Sequence, residues 1–285
     1  MEAVLVTGAT GFIGNYVVAR LLQLGYRVIA SSASAEKAAA MPWFSQVSYM
    51  PFNFNSFDPA VNYYEYFGKP SRMIHLAWEG LPNYKSDFHT EINLPRHKAL
   101  LANLTENGLA DLTVTGTCFE YGMQEGMLNE AMKVYPANPY AIAKNELRSY
   151  LQELAAERGV SFKWARLFYM YGKGQNPKSL LSQLEKALAN GDTVFNMSGG
   201  EQVRDFLPVE KVAEYIVDIA IQQQVTGVIN CCSGRPQTVN QLVEDYLQQN
   251  QKTILLNRGY YPYPDYEPMR FWGDDTKLKT ILNHE

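Results

Sequence analysis

The chain has 285 residues, 46% of them hydrophobic, and a formal net charge of −4. That is enough apolar material for one large α/β domain, or a domain with an appended lobe, and the mildly acidic balance argues against a nucleic-acid surface. Three cysteines, two of them the adjacent Cys231 and Cys232, do not frame a secreted disulfide scaffold, and no apolar run reaches membrane-spanning length. Met1 leads straight into an apolar run, so a cytoplasmic protein without a signal peptide is expected.

Residues 3–6 predict a first strand, and residues 12–24, with Val17, Val18, Leu21 and Leu22 on one face, a first helix. Between them stands Thr7-Gly8-Ala9-Thr10-Gly11-Phe12-Ile13-Gly14. Strand, glycine turn and helix together seat a dinucleotide pyrophosphate on a helix N-terminus. Gly8 permits the tight turn, Gly11 lets the backbone approach the phosphates, and Gly14 lets the helix lie close to the strand. Residues 27–30, 47–50 and 72–77 predict three further strands, and residues 91–107 a long helix. A fifth strand over 112–115 ends in the hydroxyl-rich loop Gly116-Thr117-Cys118-Phe119-Glu120-Tyr121-Gly122. A helix opening at Asn138-Pro139-Tyr140 runs to about Arg158, and residues 162–167 predict a sixth strand. Alternating strands and helices imply a parallel, doubly wound α/β sheet. After Phe168 the alternation loosens and glycine, proline and aromatic residues cluster around 171–177, 196–208 and 259–273. The expected organisation is a Rossmann domain over 1–168 and a mainly substrate-binding lobe over 169–285, with some segments returning to the core.

Tyr140 and Lys144 are four apart and share one helix face. A phenol normally titrates near 10, and an ammonium one turn away favours the phenolate, which predicts an acid/base pair.

The glycine turn, the Thr117 loop and Tyr-x-x-x-Lys, in this order, resemble the extended short-chain dehydrogenase/reductase family of the NAD-dependent epimerase/dehydratase type. The resemblance implies Tyr140 as acid/base, Lys144 as its pKa depressant and nicotinamide-ribose ligand, and Thr117 as hydrogen-bond partner of the reacting oxygen. For the cofactor it implies Gly8, Thr10, Gly11, Phe12, Ile13 and Gly14, then Ser31, Ser32, Asn53, Leu76 and Ala77. Val203-Arg204-Asp205-Phe206 is similar to the family's Arg-Asp-Phe/Tyr motif, which makes Arg204 a diphosphate ligand or, alternatively, a structural ion pair. Arg270 is a second diphosphate candidate. Trp78, Glu79, Cys118, Phe119 and Tyr169 are expected around the sugar, Tyr169 either bonding substrate or packing in the pocket. His89 and His97 are expected on solvated or packed helix surfaces, and His75 in a structural role. No Cys/His/Asp spacing suggests a metal.

Departures from the family narrow the chemistry. The dehydratases carry Asp-Glu directly after the Thr, where this chain has Cys118 and Phe119. Reductases of the GDP-fucose synthase type use a Cys two residues before the loop Tyr, paired with a His, and Phe119 holds that place. What remains resembles the bacterial dTDP-4-keto-6-deoxyhexose reductases, with a nucleotide-sugar 4-epimerase and a non-catalytic nucleotide sensor as alternatives. Ser31 and Ser32 stand where NAD-selective proteins carry an acid, so NADPH is expected as cofactor, with NADH possible. Family members commonly pair through the two long helices. A homodimer is therefore expected, with Leu94, Leu100, Leu101, Leu104, Leu147, Leu151 and Leu154 facing either the partner or the sheet.

Overall fold

A computed structural model describes residues 2–282 of the chain. In chain order the elements are β1 (Ala3–Thr7), α1 (Phe12–Gln23), β2 (Arg27–Ser31), α2 (Ala35–Ala39), β3 (Ser48–Tyr49), α3 (Tyr63–Tyr66) and β4 (Arg72–His75). There follow α4 (Leu94–Glu106), β5 (Asp111–Thr117), β6 (Gly126–Leu128), α5 (Pro139–Arg158), β7 (Ser161–Leu167), β8 (Tyr169–Tyr171), α6 (Leu180–Asn190), β9 (Val194–Asn196) and β10 (Val203–Pro208). The chain continues with α7 (Val209–Ile221), β11 (Gly227–Cys231), β12 (Pro236–Thr238), α8 (Val239–Gln249), β13 (Leu255–Asn257), β14 (Phe271–Gly273) and α9 (Thr276–Leu282).

Seven strands form one sheet in the order β11-β7-β5-β4-β1-β2-β3, all pairs parallel. The strand order reverses between β1 and β4, which opens a crevice at their carboxyl ends. Both faces of the sheet are covered, and the strand residues divide with period two. Val4 and Val6 join Val28, Ala30 and Ile229 in a core beneath α1, α7 and α9. Leu5 joins Ile29, Met73, Leu112 and Trp164 in a second core beneath α4 and α5. The seven leucines of α4 and α5 all lie in that second core, so they are not available to a partner subunit. The exposed positions include Glu106 on α4 and Glu146, Gln152 and Glu153 on α5 instead.

The division at 168 is not a clean cut. β11 pairs with β7 in the main sheet, and α7 packs its Val212, Ile216 and Val217 with Val17 and Leu21 of α1. The remaining lobe consists of a three-stranded sheet, β12-β10-β8, and the pairs β13-β9 and β14-β6. Leu181, Leu184, Val239, Leu242 and Val243 of α6 and α8 close its small core with Phe195 and Met197. The helix expected from 91 begins as a wide π-type turn, His89–Asn93, before α4. Pro95 follows in the first turn of α4, where it has no N–H to donate back to residue 91. Among the described residues no helix is long and apolar enough to cross a membrane.

Candidate active site

The turn after β1 is built almost wholly from backbone. Gly8 has φ of +70°, and a Cβ on it would lie 2.8 Å from the Ala77 nitrogen. A Cβ on Gly14 would lie 2.1 Å from the Gly8 carbonyl oxygen, so α1 can approach β1 only without one. Gly11 is the N-cap of α1 and offers no side-chain cap, which leaves first-turn N–H groups open to an anionic ligand. A cavity of about 390 Å³ opens against this turn, lined by Gly8, Thr10 and Gly11, by Ser31 and Ser32 at the end of β2, and by Leu76 and Ala77 after β4. Backbone crowding that excludes any Cβ, beside an uncapped helix start, fits a dinucleotide pyrophosphate.

Four expected cofactor contacts need correction or refinement. Gly14 does not line the cavity and acts by packing. Asn53 is also absent from its lining, because the carboxamide oxygen accepts the Asn55 N–H at 2.9 Å and caps a short turn. Phe12 and Ile13 line a second cavity, one step along α1.

That second cavity, of about 340 Å³, holds Thr117, Cys118, Phe119 and Tyr140 on its wall. α5 is started by Asn138, whose side chain accepts the Ala141 N–H at 2.9 Å, and by Pro139 in its first turn. This start sets Tyr140 at the helix mouth, where it is 8% exposed. Burial pushes the Tyr140 phenol well above its ordinary 10, and the neighbouring Tyr84 and Glu120 add to this, while a hydrogen bond with Thr117 pulls the other way. The expected lowering by Lys144 is therefore not what dominates. Lys144 is 2% exposed and is itself brought down to about 7 by burial, against the pull of Glu120. Tyr140 is held as a neutral phenol, the form that donates a proton.

Beneath these groups lies a residue to which the sequence reading gave no role. Glu120 is fully buried and accepts the Thr117 N–H at 2.8 Å, the Trp164 indole N–H at 3.0 Å, and Arg166 Nε and Nη2 at 3.0 and 2.8 Å. Thr117 returns a bond to the turn, its hydroxyl accepting the Phe119 N–H at 3.3 Å. A Thr-x-x-Glu capping box is a sequence pattern, and Thr117-Cys118-Phe119-Glu120 displays it. Gly116 is required by the same knot, since a Cβ there would meet the Trp164 indole nitrogen at 2.0 Å.

A third cavity, of about 410 Å³, adjoins the second through Tyr84, Phe119, Tyr169, Met170 and Gln175, which line both. Arg204 is on its wall but is already paired. Glu267 accepts from Nη2 at 2.8 Å and Nε at 3.3 Å, while Nη1 donates to the Val203 and Met269 carbonyls. The ion-pair alternative is thus the observed one, with Glu267 as the acid. Asp205 instead accepts the N–H groups of Ser233 and Gly234 at 2.7 and 2.9 Å, tying β10 to the turn after β11. Arg270 is exposed and absent from the cavity wall, its carbonyl accepting the Gly126 N–H. Burial, with Glu267 second, raises the buried Cys118 thiol far above its ordinary range and keeps it protonated. Burial likewise raises Tyr169, with Glu267 second.

Trp78 and Glu79 line the first cavity rather than the sugar-facing ones. His75, His89 and His97 are fully buried. Thr7 Oγ1 and His75 Nδ1 are 2.7 Å apart, as are His75 Nε2 and His97 Nδ1. Burial holds His75 near 3 and His97 well below its ordinary 6.5, with Lys144 reinforcing both.

A dinucleotide cradle opening onto a buried Tyr–Lys helix, on this strand order, defines a short-chain dehydrogenase/reductase of the extended kind. The chain belongs to the NAD dependent epimerase/dehydratase family, whose model matches residues 4–232. It is 28% identical over 271 residues, 95% of this chain and 98% of the relative, to dTDP-6-deoxy-L-talose 4-dehydrogenase (NAD(+)) of Aggregatibacter actinomycetemcomitans. UDP-N-acetylglucosamine 4-epimerase from Methanobrevibacter ruminantium M1, solved with UDP-N-acetylmuramic acid, aligns over 98% of this chain and 91% of its own, at TM-score 0.85 and 22% identity. UDP-glucuronic acid 4-epimerase from Bacillus cereus, solved with UDP-glucuronic acid and NAD, aligns over 100% of this chain and 94% of its own, at TM-score 0.83 and 20% identity. The two solved structures establish the shared fold.

Proposed function

We propose that the protein reduces the 4-keto group of a nucleotide-linked 4-keto-6-deoxyhexose, with dTDP as the carrier and NADPH as the preferred reductant, supplying deoxysugars for surface polysaccharide. The observation that carries this reading is the wall of the cavity around Tyr140. Among the described residues lining it there is no carboxylate, imidazole or ammonium. Elimination and C3 or C5 epimerisation need a base beside the carbonyl carbon. Cys118 stays protonated, and burial pushes the Tyr84 phenol up to about 12, so neither supplies one. Hydride transfer with protonation of the oxygen needs no such base.

A bound nicotinamide supplies the hydride. Gly8, Thr10 and Gly11 would hold its pyrophosphate, and Lys144 its ribose. Thr117 orients the keto oxygen by a hydrogen bond, and the neutral Tyr140 phenol donates its proton as that oxygen gains charge. The Lys144 ammonium offsets the charge left on Tyr140. Leu81, Phe119 and Phe168 give this cavity apolar walls, which suit a sugar whose sixth carbon is a methyl. The relative named for 4-dehydrogenation of dTDP-6-deoxy-L-talose supports the same carbon, although its name carries NAD(+). For NADPH, the support is local. Ser31, Ser32, Ser34 and Lys37 line the first cavity, so neutral hydroxyls and an ammonium face the expected ribose position.

Incubation with dTDP-4-keto-6-deoxyglucose tests the proposal. One NADPH is consumed per alcohol formed, and UDP-galactose alone leaves the nicotinamide absorbance unchanged. Tyr140→Phe keeps cofactor binding and loses about 10²–10⁴-fold in turnover. An epimer formed without added NADPH overturns the reductase in favour of a 4-epimerase.

A further inference from the structure

Lys144 is buried, yet among the described residues no carboxylate or carbonyl accepts a hydrogen bond from its ammonium. Burial disfavours that charge, and Glu120 supports it only at a distance, without a hydrogen bond. What faces it is aromatic, the Trp78 ring with its centroid 4.3 Å from Nζ and the Trp164 ring at 5.5 Å. Trp164 is fixed by its bond to Glu120. Trp78 is fixed independently. Its indole N–H donates to His89 Nδ1 at 3.1 Å, and the other His89 nitrogen bonds the Asn83 carbonyl at 2.9 Å. The His97 ring stacks on it at 4.6 Å and 24°, and His97 is tied through His75 to Thr7 at the end of β1.

We infer that Trp78 is a positioning residue for Lys144, holding its ammonium by a cation–π contact beside the cofactor cavity while the His89 and His97 rings lock the indole. Trp78 itself stands at the first cavity with Ala77 and Glu79 and is absent from the walls of the other two. This deepens the reading of Lys144 as the working cation of the reductase site.

The groups facing Lys144 leave the indole a distinct part. Glu120, from the turn after β5, favours the ammonium. His75 at the end of β4, and His89 and His97 from the turn and helix that follow, are all driven towards neutrality by burial, and Lys144 adds to that. On α5 itself Tyr140 is a neutral phenol, and Arg148 is a further cation whose charge burial disfavours. Neutral imidazoles behind an indole keep its face available to a cation, whereas a charged imidazole there would repel it.

The test observes the lysine directly, with neither sugar nor cofactor present. Protein carrying 13Cε-lysine is titrated by NMR, with the Lys144 resonance assigned by its loss in Lys144→Met. In wild type the midpoint is expected at about 7. Trp78→Leu keeps an apolar neighbour but removes the π face, and is expected to lower the midpoint by roughly one pH unit. Trp78→Phe, with a weaker face, is expected to lower it by less. A midpoint that is unchanged or raised in both variants overturns the inference. If Trp78→Leu does not fold, Trp78→Phe decides alone, with a lowered midpoint in support and an unchanged one against. A protein inactive on every keto-sugar can still show the shift, and an active reductase can lack it, so the two readings fail separately.

Discussion

The two ends of the cleft are built by opposite means. At the cofactor end the turn that would take the pyrophosphate is backbone, shaped by Gly8, Gly11 and Gly14 within eight residues of chain. At the substrate end the wall is side chain, and Arg204 is set by Glu267, 63 positions further on. A backbone-built site needs positions that only glycine can occupy, and such positions are visible in a sequence. A side-chain site depends on which distant groups the fold delivers, and residue type alone does not show that.

Between the two ends stands the Glu120 knot, where a short sequence pattern meets long-range partners. Removing one member of a buried, hydrogen-bonded ion pair costs about 3–5 kcal/mol. Glu120→Ala strips Arg166, Trp164 and the Thr117 N–H of their shared acceptor, and the expected loss is of that order in chemical denaturation. A loss near zero would show that Thr117 is positioned without the buried carboxylate. Gly14→Ala probes the backbone end. Its new methyl meets backbone that cannot swing aside, so a loss of about 1–3 kcal/mol and weakened dinucleotide binding are expected. Unchanged cofactor affinity in that variant would break the contrast between the two ends.

A further expectation concerns acid. His75 titrates near 3 in the folded protein against an ordinary 6.5, and burial is the main cause. An imidazole with a depressed folded pKa contributes stability that is full above about 6.5 and lost as the pH falls through about 3. The melting temperature is expected to fall across that window, and to fall less steeply in His97→Phe, which keeps a ring but removes one of the coupled imidazoles. Parallel curves for the two proteins would mean that His97 and its coupling to His75 play no part in acid sensitivity.

The parallel sheet, the glycine turn and the position of Tyr140 were legible in the sequence from local rules: strand runs, a glycine-spaced turn, and a phenol in the first turn of a capped helix. Thr117 was singled out by the family resemblance instead. Trp78 was misplaced because the direction of a side chain just past a strand end is set by what packs on it, here His97, His89 and Lys144. Arg270 and Asn53 carry the right chemistry, but their backbones leave one exposed and the other capping a turn. The leucines of α4 and α5 could have served a partner or the sheet equally well by periodicity. The sheet took all seven. The Tyr140 phenol moved opposite to expectation because burial outweighs a lysine whose own charge burial disfavours.

The most direct measurement follows the hydrogen itself. NADPH carrying deuterium at the transferring position of the nicotinamide is incubated with the protein and dTDP-4-keto-6-deoxyglucose, and the product sugar is analysed by mass spectrometry and NMR. The account predicts one deuterium per product, located on C4, with matching loss of NADPH, and almost none of either in Tyr140→Phe. A product that forms at full rate without deuterium on C4, or with the cofactor left reduced, would contradict it.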